Sequence, residues 1–476
     1  MVEKVDCVVI GAGFAGLTAA TALQAAGRSV AVLEARDRVG GRTAPGTLAG
    51  LTIDLGGMWL GPTQTRLAAL AERHQMRTYK NWIEGDAVAA FGDGRPAARI
   101  PGEDFAAGIP EAEQESLAHV ALAFETLGAD LDPAAPWTHP RARELDRQTV
   151  AMWLEREGAT PAVRGLVEAA CQSLFCAEAE ELSMLFFLFY LVSAGGIDVL
   201  LSASDGGAQN FLFEGGLHQL AARLGDGLGN ALRLESPVLG VTQRPDGVFA
   251  RFEQGGGERE IQAERCILAT PPGLTASLRF EPDLPHAKRG LLRRQPMGSC
   301  IKVWVAYDRP FWREAGLNGL ILAHGAEATP FLDVTPPGSG LGVLAGFFDA
   351  DSATRGAALS AEKRREIVLD ELATHLGEQA RSPIDFAQKD WTAERYSEGC
   401  YGAYMGPGTM TNFGPALREP VGRLHWAGTE TAVAWSGYVD GAIESGERAA
   451  SEVLALLEGD AAKTGEAVAD GALAPA

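Results

Sequence analysis

The sequence has no uninterrupted run of 18 apolar residues, so no segment of it reads as a membrane span. No leader peptide is expected, because an apolar strand pattern begins almost at the first residue. Cysteine is sparse and unpatterned. The six residues Cys7, Cys171, Cys176, Cys266, Cys300 and Cys400 show no metal-ligand spacing. This excludes a zinc ribbon and a disulfide scaffold, and it suits buried thiols in a reducing cytoplasm. The eight histidines are equally scattered, with no triad or metal pattern. Positive charge is short: 41 Lys and Arg stand against 62 Asp and Glu, a formal net charge of −21. This charge argues against nucleic acid and anionic membrane surfaces as partners. There is no internal repeat. What remains is the make-up of a globular enzyme, 46% hydrophobic and 22% charged, and 476 residues are too many for one simple core.

The most informative stretch is Val8-Val9-Ile10-Gly11-Ala12-Gly13-Phe14-Ala15-Gly16. An apolar run breaks into G-x-G-x-x-G and opens an alanine-rich helix. A second apolar run, Ser29 to Leu33, then ends at Glu34. This is the β-α-β order of a dinucleotide fingerprint. Gly11 allows the tight turn, Gly13 lets the backbone approach a pyrophosphate, and Gly16 lets helix and strand pack closely. The phosphates would meet the free amides and positive end of the helix. Glu34 lies 23 residues after Gly11, where such folds place the acid that binds ribose. Arg38-Val39-Gly40-Gly41-Arg42-Thr43 reads as a loop wrapped around phosphate. The glycine pair in Asp54-Leu55-Gly56-Gly57-Met58-Trp59 implies close approach to something flat or bulky.

Further along, helical patterns cover residues 149–157 and 161–173, and Leu185 to Tyr190 reads as a buried helix rather than a substrate wall. Strands are expected at 248–252, 266–269 and 301–307. The last alternates Val303 and Val305 with Lys302 and Trp304, as a half-buried strand does. Residues 361–376 form an amphipathic helix, and 441–456 a helix aimed at whatever precedes it. Residues 459–476, rich in Ala, Gly and Asp, read as a disordered tail.

Three segments together resemble the flavin-containing amine oxidases, the monoamine oxidase family. They are G-x-G-x-x-G, E-A-R-x-R-x-G-G-R from Glu34 to Arg42, and D-x-G-G-x-x-x-G-P-T-Q from Asp54 to Gln64. The C-terminal motifs Ser397-Glu398-Gly399-Cys400-Tyr401, Ala427-Gly428-Thr429-Glu430 and Ser436-Gly437-Tyr438-Val439 extend the likeness. The resemblance implies an α/β fold of the glutathione reductase-like FAD type. In it a Rossmann-like FAD-binding domain (1–80, 213–285 and 391–458) interleaves with an α+β substrate-binding domain (81–212 and 286–390). It implies FAD held by Gly11, Gly13, Ala15, Gly16, Glu34, Arg36, Gly41, Arg42, Gly57, Met58, Trp59, Val238, Trp391, Cys400, Gly428, Glu430 and Val439. Tyr401 and Tyr438 match the family's two cage tyrosines, and Lys302 matches the lysine that holds a water at flavin N5. Leu201, Gln209 and Phe331 fall in its substrate pocket. Trp391 lies nine residues before Cys400, the family's spacing for a tryptophan beside the flavin. Cys400 matches the cysteine that carries a thioether to FAD in the membrane-bound members, with Glu398 replacing the usual glycine.

The activity so implied is oxidation of a small primary or secondary amine to an imine, then an aldehyde, with O2 reduced to H2O2. An L-amino acid oxidase would need a pocket arginine, and none is placed there. A carotenoid-type desaturase would not need Tyr401 and Tyr438, and a flavin-holding scaffold would not turn over. The preferred amine is not legible, and the sequence leaves a homodimer open.

Overall fold

The computed structural model describes residues 2–471 except residue 93. Strand β1 (Glu3–Ile10), helix α1 (Phe14–Ala25) and strand β2 (Val30–Leu33) form the expected β-α-β unit, with the strands parallel from Cys7 opposite Val30 to Ile10 opposite Leu33. The last four residues of β1 are all buried, because the strand is covered on both faces. Cys7 and Val9 pack with Leu17, Ala20 and Leu23 of α1. Val8 and Ile10 pack with Val248, Phe252 and Phe280 on the other side. The sheet runs Leu232–Arg233, β2, β1, Gly257–Leu268, Gly247–Gln254, Val238–Arg244 and Arg279–Glu281. Leu424–Trp426 pairs with the far end of Gly257–Leu268.

A second sheet of seven strands is ordered Asp385–Asp390, Cys300–Tyr307, Gly342–Asp349, Phe331–Asp333, Leu317–Ala323, Asp86–Ala90 and Ala98–Pro101. Helices lie against it. The apolar run forms helix Met184–Ala194, with ten of its eleven residues buried, so the buried-helix reading holds. Ser183 caps it: its Oγ accepts the Phe186 amide at 3.4 Å and donates to Asp146 at 2.6 Å. The C-terminal helix crosses α1 closely, since a Cβ at Gly446 would stand 2.3 Å from the Ala15 carbonyl oxygen.

Two expectations need correction. Strand Cys300–Tyr307 is buried along all eight residues, not half-buried. It lies between two strands, its Val303 and Val305 face covered by Val368 and Leu372 of helix Ala361–Leu376, its other face turned inward. The C-terminal helix spans Val439–Gly471 and so runs through most of the stretch read as a disordered tail. Alanines, glutamates and a lysine there are good helix formers, and no proline interrupts them. Residues 472–476 lie outside the described residues.

Candidate active site

One continuous cavity starts at the C-terminal ends of β1 and β2 and extends to the second sheet. Its first portion is set by glycines of two kinds. A Cβ at Gly16 would stand 1.9 Å from the Gly11 carbonyl oxygen, and one at Gly11, at φ +102°, would stand 2.7 Å from the Ala269 oxygen. These two are demanded by the protein's own packing. At Gly13 an added Cβ meets nothing closer than the Gly41 Cα at 3.9 Å, so the space before it is left to a ligand. Gly13 caps α1, whose first-turn amides have no partner within the helix. Glu34 is buried; its carboxylate accepts the Ala12 amide at 2.7 Å and the Arg36 amide at 2.9 Å.

The loop after β2 is fixed by arginines. Arg36 donates to Ser397 at 2.9 Å and to Glu394 at 3.3 Å. Arg42 pairs with Glu430 through two bonds of 2.6 and 3.2 Å and donates to the Tyr401 carbonyl at 2.8 Å. This pairing keeps the buried Glu430 carboxyl below its usual range against the opposing cost of burial. Glu430 therefore stands behind the cavity wall and positions Arg42, which does line the wall.

Lys302 forms the floor, 2% exposed. Its Nζ donates to the Asp54 and Gly56 carbonyls at 3.1 and 2.8 Å and meets the Met58 Sδ at 3.0 Å. Burial pushes its pKa down to about 8, with Asp54 opposing. Trp391 is buried beside it, its indole donating to the Leu55 carbonyl at 2.9 Å. Cys400 is buried and lines the cavity. Burial pushes its thiol pKa far up, against the pull of Arg42 and Lys302. Glu398, standing where the resemblance expects glycine, sits at φ +59°, the left-handed region in which glycine is at ease.

The remaining portion is apolar. Tyr401 stacks edge-on against Phe347 with ring centroids 5.9 Å apart, and Tyr438 lies 5.0 Å from Trp435 and 6.1 Å from Tyr190. Leu201 and Gln209 also line it. Gln209 Nε2 donates to the Leu200 carbonyl at 3.0 Å, while its buried Oε1 has no partner.

Of the residues expected at the site, Gly11, Gly13, Ala15, Glu34, Arg36, Gly41, Arg42, Gly57, Met58, Trp59, Val238, Trp391, Cys400, Gly428, Val439, Lys302, Tyr401, Tyr438, Leu201 and Gln209 all line this cavity. Gly16 and Glu430 support it from behind. Phe331 does not line it: its side chain packs with Val303, Val305 and Phe348 beneath the sheet, while its neighbours Pro330 and Leu332 line the cavity. A one-residue step along a strand reverses the face. Sequence reasoning missed Tyr190, Phe347 and Leu166. Tyr190 carried a usable signal, as the one hydroxyl in a run of Phe and Leu.

The flavin containing amine oxidoreductase family matches residues 14–454. This chain belongs to that family. The flavin-containing amine oxidase B of Cavia porcellus is 38% identical over 466 residues, covering 95% of this chain and 87% of the relative. An L-amino acid dehydrogenase of Synechocystis sp. is 36% identical, with 95% of each chain covered. Among solved structures, cyclohexylamine oxidase from Brevibacterium oxydans is similar at a TM-score of 0.89 and 34% identity, over 95% of this chain and 99% of that one. Putrescine oxidase bound to putrescine is similar at 0.89 and 31%, with the same coverage. The chain is thus a flavin-containing amine oxidase with a mixed α/β flavin fold. A flavin dinucleotide fits the residues present: Gly13 leaves room, α1 directs its amides into that room, and Trp59 lines the cavity with a buried Nε1 that has no partner. No helix among the described residues is long and apolar enough to cross a membrane.

Proposed function

We propose that this oxidase acts on apolar monoamines. The observation that carries the reading is the absence of charge from the second portion of the cavity, as described. Its walls are Phe105, Leu166, Leu200, Leu201, Leu320, Leu322 and Phe347 with the tyrosines, and the charged lining residues Glu34, Arg36, Arg42 and Lys302 all belong to the cofactor side. A diamine would leave its distal ammonium without a carboxylate, and an amino acid would leave its carboxylate without an arginine. The second constraint argues against amino acid substrates despite the 36% identical L-amino acid dehydrogenase.

When bound, FAD supplies the acceptor for the hydride of the carbon beside nitrogen and returns the electrons to O2 as H2O2. The chain's residues prepare that step. Tyr401 and Tyr438 offer ring faces to an incoming cation, yet the surrounding apolar wall disfavours the ammonium, so the amine sheds its proton before reacting. Burial holds both phenols above their ordinary pKa, so they stay neutral throughout. The unpartnered Gln209 Oε1 accepts an N–H of the amine. Lys302 holds a positive charge at the cavity wall, fixed by the Asp54 and Gly56 carbonyls, and would supply a preorganised cation to the electron-accepting group bound there. Its contact with the Met58 sulfur, a weak acceptor, is the one a water would replace. The imine then meets water and yields aldehyde and ammonia.

We further propose that Cys400 carries FAD through a thioether. In support, Cys400 lines the cavity and feels the cations of Arg42 and Lys302, which offset part of the burial cost of the thiolate. The test of substrate class is peroxide release with cyclohexylamine, benzylamine, putrescine and L-leucine. The two ring monoamines should exceed the others in kcat/KM by well over tenfold. Preference for putrescine or leucine would sink the reading.

A further inference from the structure

The amine chemistry leaves one buried group of side chains unused. Cys300 opens its strand and Asp349 closes the neighbouring one, where the two are antiparallel register partners. Cys176 follows helix Pro161–Phe175 in the left-handed region at φ +51°, a place more often given to glycine or asparagine. Backbone bonds pin the elements together: the Ser299 amide donates to the Cys176 carbonyl, and the Ala350 amide to the Ser299 carbonyl, both at 2.9 Å. The two sulfurs and a carboxylate oxygen all lie within 4.8 Å of one another. Cys176 and Cys300 are 1% exposed and Asp349 4%. The donors facing the Asp349 carboxylate are weak or already shared, the Cys176 and Cys300 thiols and the Ser352 backbone amide of the helix it caps, and no basic side chain pairs with it among the described residues. A carboxylate that deep normally finds a donor or a cation.

We propose that Cys176, Cys300 and Asp349 form a binding site for a thiophilic divalent cation of the zinc class. Two sulfurs and one oxygen select a borderline-soft ion over magnesium or calcium. Around a four-coordinate zinc, with bonds of about 2.3 Å to sulfur and 2.0–2.2 Å to oxygen, ligand atoms stand roughly 3.3–3.8 Å apart. Closing the trio onto an ion therefore asks about 1 Å of side-chain movement. Cys300 lines the cavity while Cys176 and Asp349 stand behind it, so the ion enters from the cavity and its fourth position, taken by water, faces that way. The two thiols lose their protons to water on binding, as does the carboxyl where it is protonated, and no electron is transferred. The resulting complex carries one negative charge. Lys302, two residues from Cys300 on the same strand face, balances it.

This site stands whether or not the substrate reading holds. The probe is cadmium, supplied to the purified full-length protein with its flavin under reducing conditions. Metal is counted after gel filtration, and thiolate-to-cadmium absorption is recorded as a difference spectrum. The unmutated chain should retain one cadmium. Cys176→Ser and Cys300→Ser should each lose it along with the absorption. Asp349→Asn should weaken retention, and Cys171→Ser should not change it. No retained cadmium in the unmutated chain, retention in the Cys176→Ser Cys300→Ser double variant, or loss in Cys171→Ser would each overturn the proposal. A measurement without mutation guards against misfolded variants. In urea too dilute to unfold the protein, cadmium should slow alkylation of Cys176 and Cys300 together, and equal rates with and without cadmium would also overturn it.

Discussion

Replacing Lys302 with methionine tests the role of the buried ammonium, and the structure sets the size of the effect. The lysine donates to the Asp54 and Gly56 carbonyls, so its removal leaves two buried acceptors short of a donor. Each such loss costs about 1–3 kcal/mol. The same substitution removes a desolvated charge. A pKa pushed from 10.5 down to about 8 corresponds to roughly 3 kcal/mol at 1.36 kcal/mol per unit. The two effects nearly offset, so Lys302→Met should fold and bind flavin. The sign of the linkage is testable. The folded pKa lies below the unfolded one, so between about pH 8 and 10.5 the unfolded chain holds more protons and stability rises with pH. The unmutated protein should therefore gain stability over Lys302→Met across that window, read by urea unfolding at several pH values. Kinetically, removing one preorganised positive group costs on the order of 10²–10³ in rate where charge develops. In stopped-flow, reaction of the reduced protein with O2 should slow by that order, while anaerobic reduction by amine changes far less. In the unmutated protein the O2 reaction should also fall as pH rises through about 8, and in Lys302→Met that limb should vanish. Unchanged O2 reactivity, or the same pH limb in both proteins, would refute this role for Lys302.

Tyr438→Ala should lower kcat/KM for every amine while the protein still folds, since the ring lines the cavity at the edge of the core and is only partly buried; full retained efficiency in the peroxide assay would count against the cage. Gly16→Ala places a Cβ 1.9 Å from a carbonyl oxygen and should yield insoluble protein, whereas Gly13→Ala, with nothing within 3.9 Å, should fold and lose flavin affinity, measured by flavin content after dialysis. Acid-precipitated protein should stay yellow and Cys400→Ser should release FAD into the supernatant; because burial raises the thiol pKa, linkage should speed up as pH rises from neutral. Glu430→Ala leaves the half-buried Arg42 guanidinium with only the Tyr401 carbonyl and should cost about 1–3 kcal/mol in urea unfolding.

The parts of this molecule that were legible from sequence are those whose cause is local. Gly11 and Gly16 contact each other within five residues, so the demand for glycine shows in the spacing itself. The β-α-β order and the buried helix Met184–Ala194 likewise follow from short-range pattern. What was not legible depends on distant partners. The Arg42–Glu430 pair joins residues 388 apart in the chain, and no periodicity announces that Glu430 works through an arginine. Cys176, Cys300 and Asp349 come from three elements, with no ligand spacing to mark them. The C-terminal helix outran its expected end because composition weighs Gly and Asp against order, whereas alanine and glutamate propensity favours continuing the turn.

Lys302 is the instructive case, because its sequence held the right signal under a misleading pattern. Alternation of Val303 and Val305 with Lys302 and Trp304 reads as a strand with one wet face. That reading lets a single charge stand for a whole face. The face that carries Lys302 also carries Cys300, Trp304 and Ala306, three residues with no preference for water. A solvated strand face of four positions would show several polar side chains, as one face of Gly257–Leu268 does with Glu258 and Glu260. A lone ammonium among cysteine, tryptophan and alanine is instead a charge carried inward, and its desolvation must be met by fixed acceptors. The Asp54 and Gly56 carbonyls are those acceptors, supplied by the segment whose glycine pair was already marked for close backbone approach. Counting the company a charge keeps on its own face, rather than the alternation alone, separates a buried functional lysine from a surface one.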